Sequence, residues 1–537
     1  MRPFIVVLPP PRGISGATIR MKNKQRVMLI RASYLPGRMG RYVVPPLGAL
    51  TLAAMLRRER PEDVEFKILD TGLERYSAPE AGRAIAEYAP DVVGISALSL
   101  EAVNLHRLAA EAKKINGNIK VVVGGPHATC FYDQVLGDAN IDFAVVGEGE
   151  HVLIELLDAL RDGSVPPHET PGLAQRSDGR IIFGGPRPYV EDLDSLPMPA
   201  WDLVDFKRYS PFYSMNTFTA RSPHAPIFSS RACPYRCAYC HSIFGKQFRA
   251  QSPERTLDEI ELLYRKFGVR ELQVYDDVFN FNHERVFAIC EGILKRGIDI
   301  KIAFPNGVRG DIMTRDMIGA LARAGAYSIT YAVESASPRI QRLIRKNLNL
   351  DKVFDVVKWT YDEGIIPCGF FMLGFPTETK EEIEQTIRYA SDSRMLRALF
   401  FTVVPFPRTE LYNLAKETYP NHDFTYDFSP KMYYWAVRPY FSEVTGIDVE
   451  AMSHRAWWEF YIRPWRMAQI LRRFPKNFSF LRSIYAGLAY GWIGIGRKEE
   501  SLEISSPAPY STTYIEQCEC GTSDRLKDGP APDSRSP

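Results

Sequence analysis

The chain reads as an α/β protein: an N-terminal doubly wound parallel sheet, then a partial six-fold β/α barrel, then a helical C-terminal subdomain. Three observations predict this. Short Val- and Ile-rich runs alternate with helix-length segments from residue 26 to about 160, the pattern of a parallel sheet with helices on both faces. Seven prolines then interrupt every long element, at 166, 167, 171, 186, 188, 197 and 199. A second alternating series starts at Ile227 and runs for six repeats, enough for a barrel or three quarters of one. An open sheet would satisfy the second series as well.

In chain order, strands are predicted at Arg26–Arg31, Val64–Leu69, Val92–Ser96, Val121–Gly124 and Ala144–Val146, with helices at Leu47–Arg58, Pro79–Tyr88, Ala102–Lys114 and Val152–Leu160. A short hairpin fits Leu173–Phe183 inside the proline-rich interval. The second series gives strands at Ile227–Ser230, Leu272–Tyr275, Ile300–Phe304, Ser328–Val333, Gly369–Leu373 and Leu399–Val404. Its helices are expected at Thr256–Phe267, His283–Arg296, Asp316–Ala324, Val353–Glu363 and Glu381–Asp392. The resulting division is a leader (1–25), a first domain (26–165), a linker (166–220), a barrel (221–430), a helical subdomain (431–500) and a tail (501–537) too polar to fold.

Composition narrows the function. The 537 residues are 45% hydrophobic and 24% charged, which fits a globular protein of several domains. Lys and Arg number 67 against 64 Asp and Glu, and this balance excludes the basic footprint of a nucleic-acid binder. Phe4–Leu8 is too short for a secretory signal, and no apolar run reaches the ~18 residues of a membrane span. A cytoplasmic location is expected. Between Arg455 and Lys498 the chain carries nine Arg or Lys, one acidic residue, and Trp457, Trp458, Tyr461 and Trp465. This segment could cap a substrate, rest peripherally on a membrane, or be an ordinary helical surface.

Three of the eight cysteines fall within eight residues, as Cys233-Pro-Tyr-Arg-Cys237-Ala-Tyr-Cys240, directly after the first strand of the second series. Three thiolates on one loop can hold three corners of a [4Fe-4S] cluster and leave one iron open for a chelating ligand. A zinc site completed by His241, or plain buried thiols, would use the same residues. Cys518 and Cys520 sit in the tail and read as solvent thiols or a second metal site.

This CxxxCxxC loop at the head of a six-fold βα series resembles the radical S-adenosylmethionine superfamily. The resemblance implies that the open iron chelates S-adenosylmethionine, whose reductive cleavage gives a 5′-deoxyadenosyl radical, with electrons from an external donor such as flavodoxin or ferredoxin. Tyr239 matches the family's adenine neighbour. Asp276 and Asp277 stand where the family often carries a Gly-Gly-Glu turn near the methionine amino group, and the resemblance implies that they substitute for it. Ala332-Val333-Glu334-Ser335 resembles Gly-Val-Glu-Ser, so Glu334 is expected at the ribose, with Ser335 beside it. Asn306 and Arg309 follow the third strand, and Gly374-Phe375-Pro376-Thr377-Glu378 resembles Gly-Phe-Pro-Gly-Glu. All fall at strand ends, where barrel sites are built.

The first domain is similar to the cobalamin-binding domain that precedes a radical S-adenosylmethionine domain in one class, which includes class B methyltransferases and magnesium-protoporphyrin monomethyl ester cyclase-like enzymes. Ser96-Ala97-Leu98 and Gly124-Gly125 match the elements flanking the nucleotide slot, and Pro45-Pro46-Leu47-Gly48, Gly124-Gly125-Pro126-His127 and Gly147-Glu148-Gly149-Glu150 also match. After Asp70, Gly72 replaces the histidine that ligates cobalt in mutases, so cobalamin is expected without an imidazole from this loop. His127, in a strand-end turn, is the candidate replacement or a turn residue bonded to backbone. No GxGxxG follows the first strand, which disfavours nicotinamide or flavin. The class implies methyl transfer from methylcobalamin to a carbon or phosphorus radical of a small-molecule substrate. Cyclisation or oxidation, and a non-catalytic sensor, are the other readings.

Overall fold

The computed structural model describes residues 24–33, 43–164, 166–212, 214–216, 218–241, 243–422, 424, 445–477 and 480–481. The leader up to residue 23, the tail with Cys518 and Cys520, and residues 482–500 of the C-terminal segment lie outside the described residues.

The first sheet contains β1 (Gln25–Arg31), β2 (Val64–Asp70), β3 (Val92–Ser96), β4 (Lys120–Gly124), β5 (Phe143–Val145), β6 (Leu173–Ser177) and β7 (Arg180–Phe183). Their order is β2-β1-β3-β4-β5-β6-β7, with the first five parallel. Successive residues of β1 enter opposite cores: Met28 and Ile30 join one, Val27 and Leu29 the other. A strand covered on both faces must be apolar throughout, which is why β1 reads as a continuous run. The crossover direction reverses between β1 and β3, which opens a crevice beyond their carboxyl ends. The interval read as a linker begins with the predicted hairpin, and β6 and β7 extend this sheet antiparallel from β5.

The second sheet holds β8 (His224–Ile227), β11 (Glu271–Val274), β12 (Lys301–Val308), β13 (Ala326–Glu334), β14 (Ile366–Leu373) and β15 (Arg397–Thr402), all parallel and in sequential order. It is open between β8 and β15 and makes the partial barrel. A ribbon of β9 (Ser230–Arg231) and β10 (Arg249–Ala250) stands on the end of β8. The predicted first strand, Ile227–Ser230, is therefore two elements, broken where Ser229 and Ser230 turn to Asp276.

Helix Val449–Tyr461 covers β15 through Phe460 against Phe400, and helix Pro464–Arg473 follows it. Arg466, wholly buried, donates to the carbonyls of Met395, Phe460, Ser391 and Ser393, tying this segment to the end of helix Lys380–Asp392. Helices Gly125–Val135, Pro338–Leu343 and Glu410–Thr418 are additional to the predicted set. Among the described residues no helix is long and apolar enough to cross a membrane.

Candidate active site

The cysteine loop leaves the ribbon at Arg231 and returns at Arg249. Its path is held by backbone bonds from Ala238 N to Ile344 O (2.9 Å) and from Leu411 N to Ala238 O (2.8 Å), by Lys246 Nζ on Tyr235 O (2.6 Å), and by Arg309 over the Tyr235 ring (3.8 Å). Cys233 and Cys237 are half-buried, Cys240 is exposed, and all three are free thiols. Burial pushes the thiol of half-buried Cys233 up, reinforced by the charge of Cys237. The loop carries three free thiols, the residue type that binds metal as thiolate, although among the described residues no three His, Cys, Asp or Glu side chains are already gathered as a metal site. His241 is not gathered with the cysteines into a zinc set among the described residues; its Nε2 is 3.0 Å from Pro407 O, and its ring packs against Phe131 and Phe406.

Around this loop the barrel strand ends divide into residues facing the loop and residues holding the frame. Asp276 belongs to the frame: fully buried, it accepts from Ser229 N (2.7 Å), Ser229 Oγ (2.8 Å) and Ser230 Oγ (2.6 Å). Asp277 keeps an exposed edge and accepts from Ala232 N at 3.1 Å; partial desolvation of its carboxylate by the surrounding protein, then the charge of Asp276, pushes the carboxyl up to about 6. Asn306 lies within β12, not after it, and its amide donates to the carbonyls of Tyr275 and Asp276. Arg309 is paired with Asp311 at 2.8 Å and donates to Lys346 O. Ser335 is a correction to the sequence reading: it is wholly buried, at 3.3 Å from Thr386 Oγ1, and accepts from Ser337 N, behind the strand end.

Glu334 sits at φ +68, a conformation that costs a side-chain-bearing residue energy and that clusters at functional sites. Its Oε1 lies 3.2 Å from Tyr239 Oη and 2.9 Å from Lys346 Nζ, and Lys346 also donates to Tyr239 Oη at 3.0 Å. Burial, then the Glu334 charge, holds the Tyr239 phenol protonated well above its usual range. Gly374, at φ +87, and Phe375 both donate to Glu378 Oε2, while Glu378 Oε1 is buried without a partner and burial raises this carboxyl to about 7. Pro376 is buried beside them. Lys346 carries no pattern that distinguishes it in the sequence; only the fold brings it back to Glu334.

On the first sheet, Asp70 accepts from Gly72 N and Leu73 N and from Tyr209 Oη, and lies 3.6 Å from Arg31. A side chain at Gly72 would begin 2.6 Å from Ser33 Oγ, so this loop has no room for an imidazole. A side chain at Gly125 would begin 2.7 Å from Ser96 Oγ, which brings the Ser96–Leu98 and Gly124–Gly125 elements together; Leu98 is 43% exposed on that edge. Glu101 accepts from Leu98 N, and its burial raises the carboxyl to about 7. Arg31, a charge at the end of an apolar strand, is the sequence signal that marks this polar corner.

Two readings need correction. His127 is not in a turn but in the first turn of helix Gly125–Val135, 2% exposed, with Nδ1 3.2 Å from Ser99 Oγ. Burial pushes its imidazole down to about 3, and it does not stand open to a ligand. Gly147, at φ +86, donates to Thr129 Oγ1 and shapes the turn, and Gly149 precedes helix Glu150–Arg161. Glu148 and Glu150 do not face the crevice freely; they pair with Arg249 and Arg231 at the base of the cysteine loop.

The two strand-end faces therefore meet. Phe131 packs edge-on to His241, next to Cys240, and Arg408 beyond β15 bonds Asp133 (2.5 Å) and the Cys130 carbonyl.

Residues 227–390 match the radical SAM superfamily, and residues 40–157 match the B12 binding domain. An uncharacterised methyltransferase of Pyrococcus horikoshii is 31% identical over 78% of this chain and 88% of its own length. Cytidylyl-2-hydroxyethylphosphonate methyltransferase of Streptomyces wedmorensis is 27% identical over 73% of this chain and 81% of its own. In structure, the radical S-adenosylmethionine methyltransferase TsrM of Kitasatospora setae, solved with cobalamin and a [4Fe-4S] cluster bound, superposes with a TM-score of 0.62 at 16% identity, over 74% of this chain and 79% of that one. The chain belongs to the radical SAM enzymes that carry a B12-binding domain.

Proposed function

We propose that the protein is a methyltransferase that places a methyl group on an unactivated carbon, or a phosphorus, of a small molecule held between its two sheets. The observation that carries this reading is the meeting of the two strand-end faces: Phe131 of the first sheet's helix touches His241, the residue after Cys240. A transfer between two cofactors gains from holding the reacting groups in one enclosure. When bound, the cluster with S-adenosylmethionine supplies a hydrogen-abstracting radical and cobalamin supplies the methyl group.

The chain's own part is to bind and orient. Cys233, Cys237 and Cys240 are the thiolate set that would hold the cluster, carried together on one pinned loop. Tyr239, Glu334 and Lys346 form one hydrogen-bonded group that presents an acceptor to hydroxyl groups of S-adenosylmethionine. Asp277 offers a carboxylate near the methionine end. Ser96, Leu98, Gly124 and Gly125 would shape the edge for the cobalamin tail, and the loop at Gly72 would offer the cofactor no imidazole.

The required electrons would come from a small reduced carrier such as flavodoxin or ferredoxin, and a cytoplasmic location fits the free thiols. Exposed Ile462, Met467 and Leu471, close to Arg463 and Arg472, favour contact with an apolar or anionic surface over a bare solvated helix.

The test is anaerobic reconstitution with iron, sulfide and cobalamin, followed by reduction and turnover with methyl-labelled S-adenosylmethionine and a small-molecule extract. Release of both S-adenosylhomocysteine and 5′-deoxyadenosine, with label in a product, is expected. 5′-Deoxyadenosine alone, with no labelled product, would replace methyl transfer by a cyclase-type or other radical reaction.

A further inference from the structure

The base of the cysteine loop is a pair of arginines. The ribbon sets Ser230 opposite Ala250 and Arg231 opposite Arg249, and this last pair frames the seventeen-residue excursion 232–248. Both arginines reach one carboxylate of the other domain: Glu148 Oε1 is 2.9 Å from Arg231 Nη1 and 2.8 Å from Arg249 Nη1. Arg231 Nη2 is 2.6 Å from Glu150 Oε1. No side chain of the four is more than 13% exposed. Two cations and two anions close the charge, so the loss of either glutamate would leave a buried guanidinium short of its partner.

The connecting segment is gripped by the same group. Glu148 Oε2 accepts from Val190 N (2.7 Å), and Arg249 donates to the carbonyls of Val190 (2.6 Å) and Phe244 (3.0 Å). The Tyr189 ring lies beside the Arg249 guanidinium and against Gly245, where any side chain would start 2.6 Å from the ring. From the barrel side, Asp276 holds Ser229 and Ser230, the residues immediately before Arg231. One strand end of the first sheet, the connecting segment and both feet of the loop thus share one buried polar junction.

We infer that Glu148 and Glu150 are positioning residues that set a single separation and orientation between the cysteine loop and the strand ends of the first sheet. The inference rests on the reading of cobalamin at those strand ends. An apolar junction would hold the domains together equally well, because hydrophobic contact is non-directional. Directed N–H···O pairs to a guanidinium fork also specify orientation. The junction sits at the loop's base, so a shift there displaces all three cysteines together.

The experiment uses the full chain loaded with reduced cluster and cob(II)alamin and reads the dipolar coupling between their two unpaired spins. Hydrogen exchange of the apoprotein is read in parallel. The wild type is expected to give one narrow coupling. Glu150→Gln and Glu148→Gln are expected to lose that single value and to speed exchange across 231–250 and 188–191, with iron and cobalamin content retained. The same narrow coupling in both variants, with exchange unchanged, overturns the clamp while leaving the cofactor reading intact. A wild-type protein that takes up a cluster but no cobalamin overturns that reading, and the clamp with it. Should Glu148→Gln not fold, Glu150→Gln decides alone, because it leaves Glu148 to neutralise Arg249.

Discussion

Removing the carboxylate of Asp276 separates a frame residue from a cofactor ligand. In the structure it accepts three bonds of 2.6–2.8 Å from Ser229 and Ser230, while Arg285 donates to Ser229 O at 3.0 Å from the other side. Burial raises the Asp276 carboxyl, so the ionised form is itself costly there. Truncation relieves that cost but strands three donors and removes a charge that offsets Arg285 through space. Each stranded buried donor costs about 1–3 kcal/mol. Because these losses overlap and the relief opposes them, Asp276→Ala is expected to destabilise by about 3–5 kcal/mol, roughly the cost of two stranded donors. Asp276→Asn, which keeps an acceptor, should cost roughly 1–2 kcal/mol. Urea unfolding of the apoprotein measures both, and equilibrium binding of S-adenosylmethionine to the reconstituted Asn variant measures the alternative. An Asn variant of wild-type stability that has lost S-adenosylmethionine affinity would refute the frame assignment and make Asp276 a direct ligand.

Replacing Cys233, Cys237 and Cys240 together with Ala should abolish iron uptake and the iron–sulfur absorption, and retention of a full cluster would sink the ligand set. His127 is held neutral with its imidazole near 3, while the unfolded chain protonates near 6.5. The unfolded state therefore binds more protons between those values, and stability should fall as pH drops from about 6.5 towards 3. His127→Gln should flatten that limb in acid unfolding, the rest arising partly from His224, lowered by burial to about 4. The cob(II)alamin paramagnetic spectrum should show no protein-nitrogen splitting in either protein; a pattern lost in His127→Gln would restore His127 as a ligand. Arg466→Met should lower stability by about 2–4 kcal/mol, read by denaturant unfolding, because it leaves four buried carbonyls without their donor while relieving a guanidinium whose charged form burial disfavours.

Amino-acid order alone determined the alternation of elements, because periodicity and glycine placement act over a few residues. β1, β3 and β14 fall within a few residues of their predicted bounds, and the CxxxCxxC spacing places three thiols on one loop whatever surrounds it. Strand-end motifs also located Glu334 and Gly374, where φ is positive. Tertiary structure decided what the polar residues do, because a carboxylate's role depends on the partner that burial assigns to it. Asp276 and Asp277 are adjacent and alike in sequence, yet one is sealed among Ser229 and Ser230 and the other is exposed. Glu148 and Glu150 look like ligand-facing residues until Arg231 and Arg249 arrive from about a hundred residues away. Lys346 reaches Tyr239 and Glu334 only through the fold. Local pattern fixes where a side chain stands on its own strand, and long-range packing alone supplies the charge that faces it.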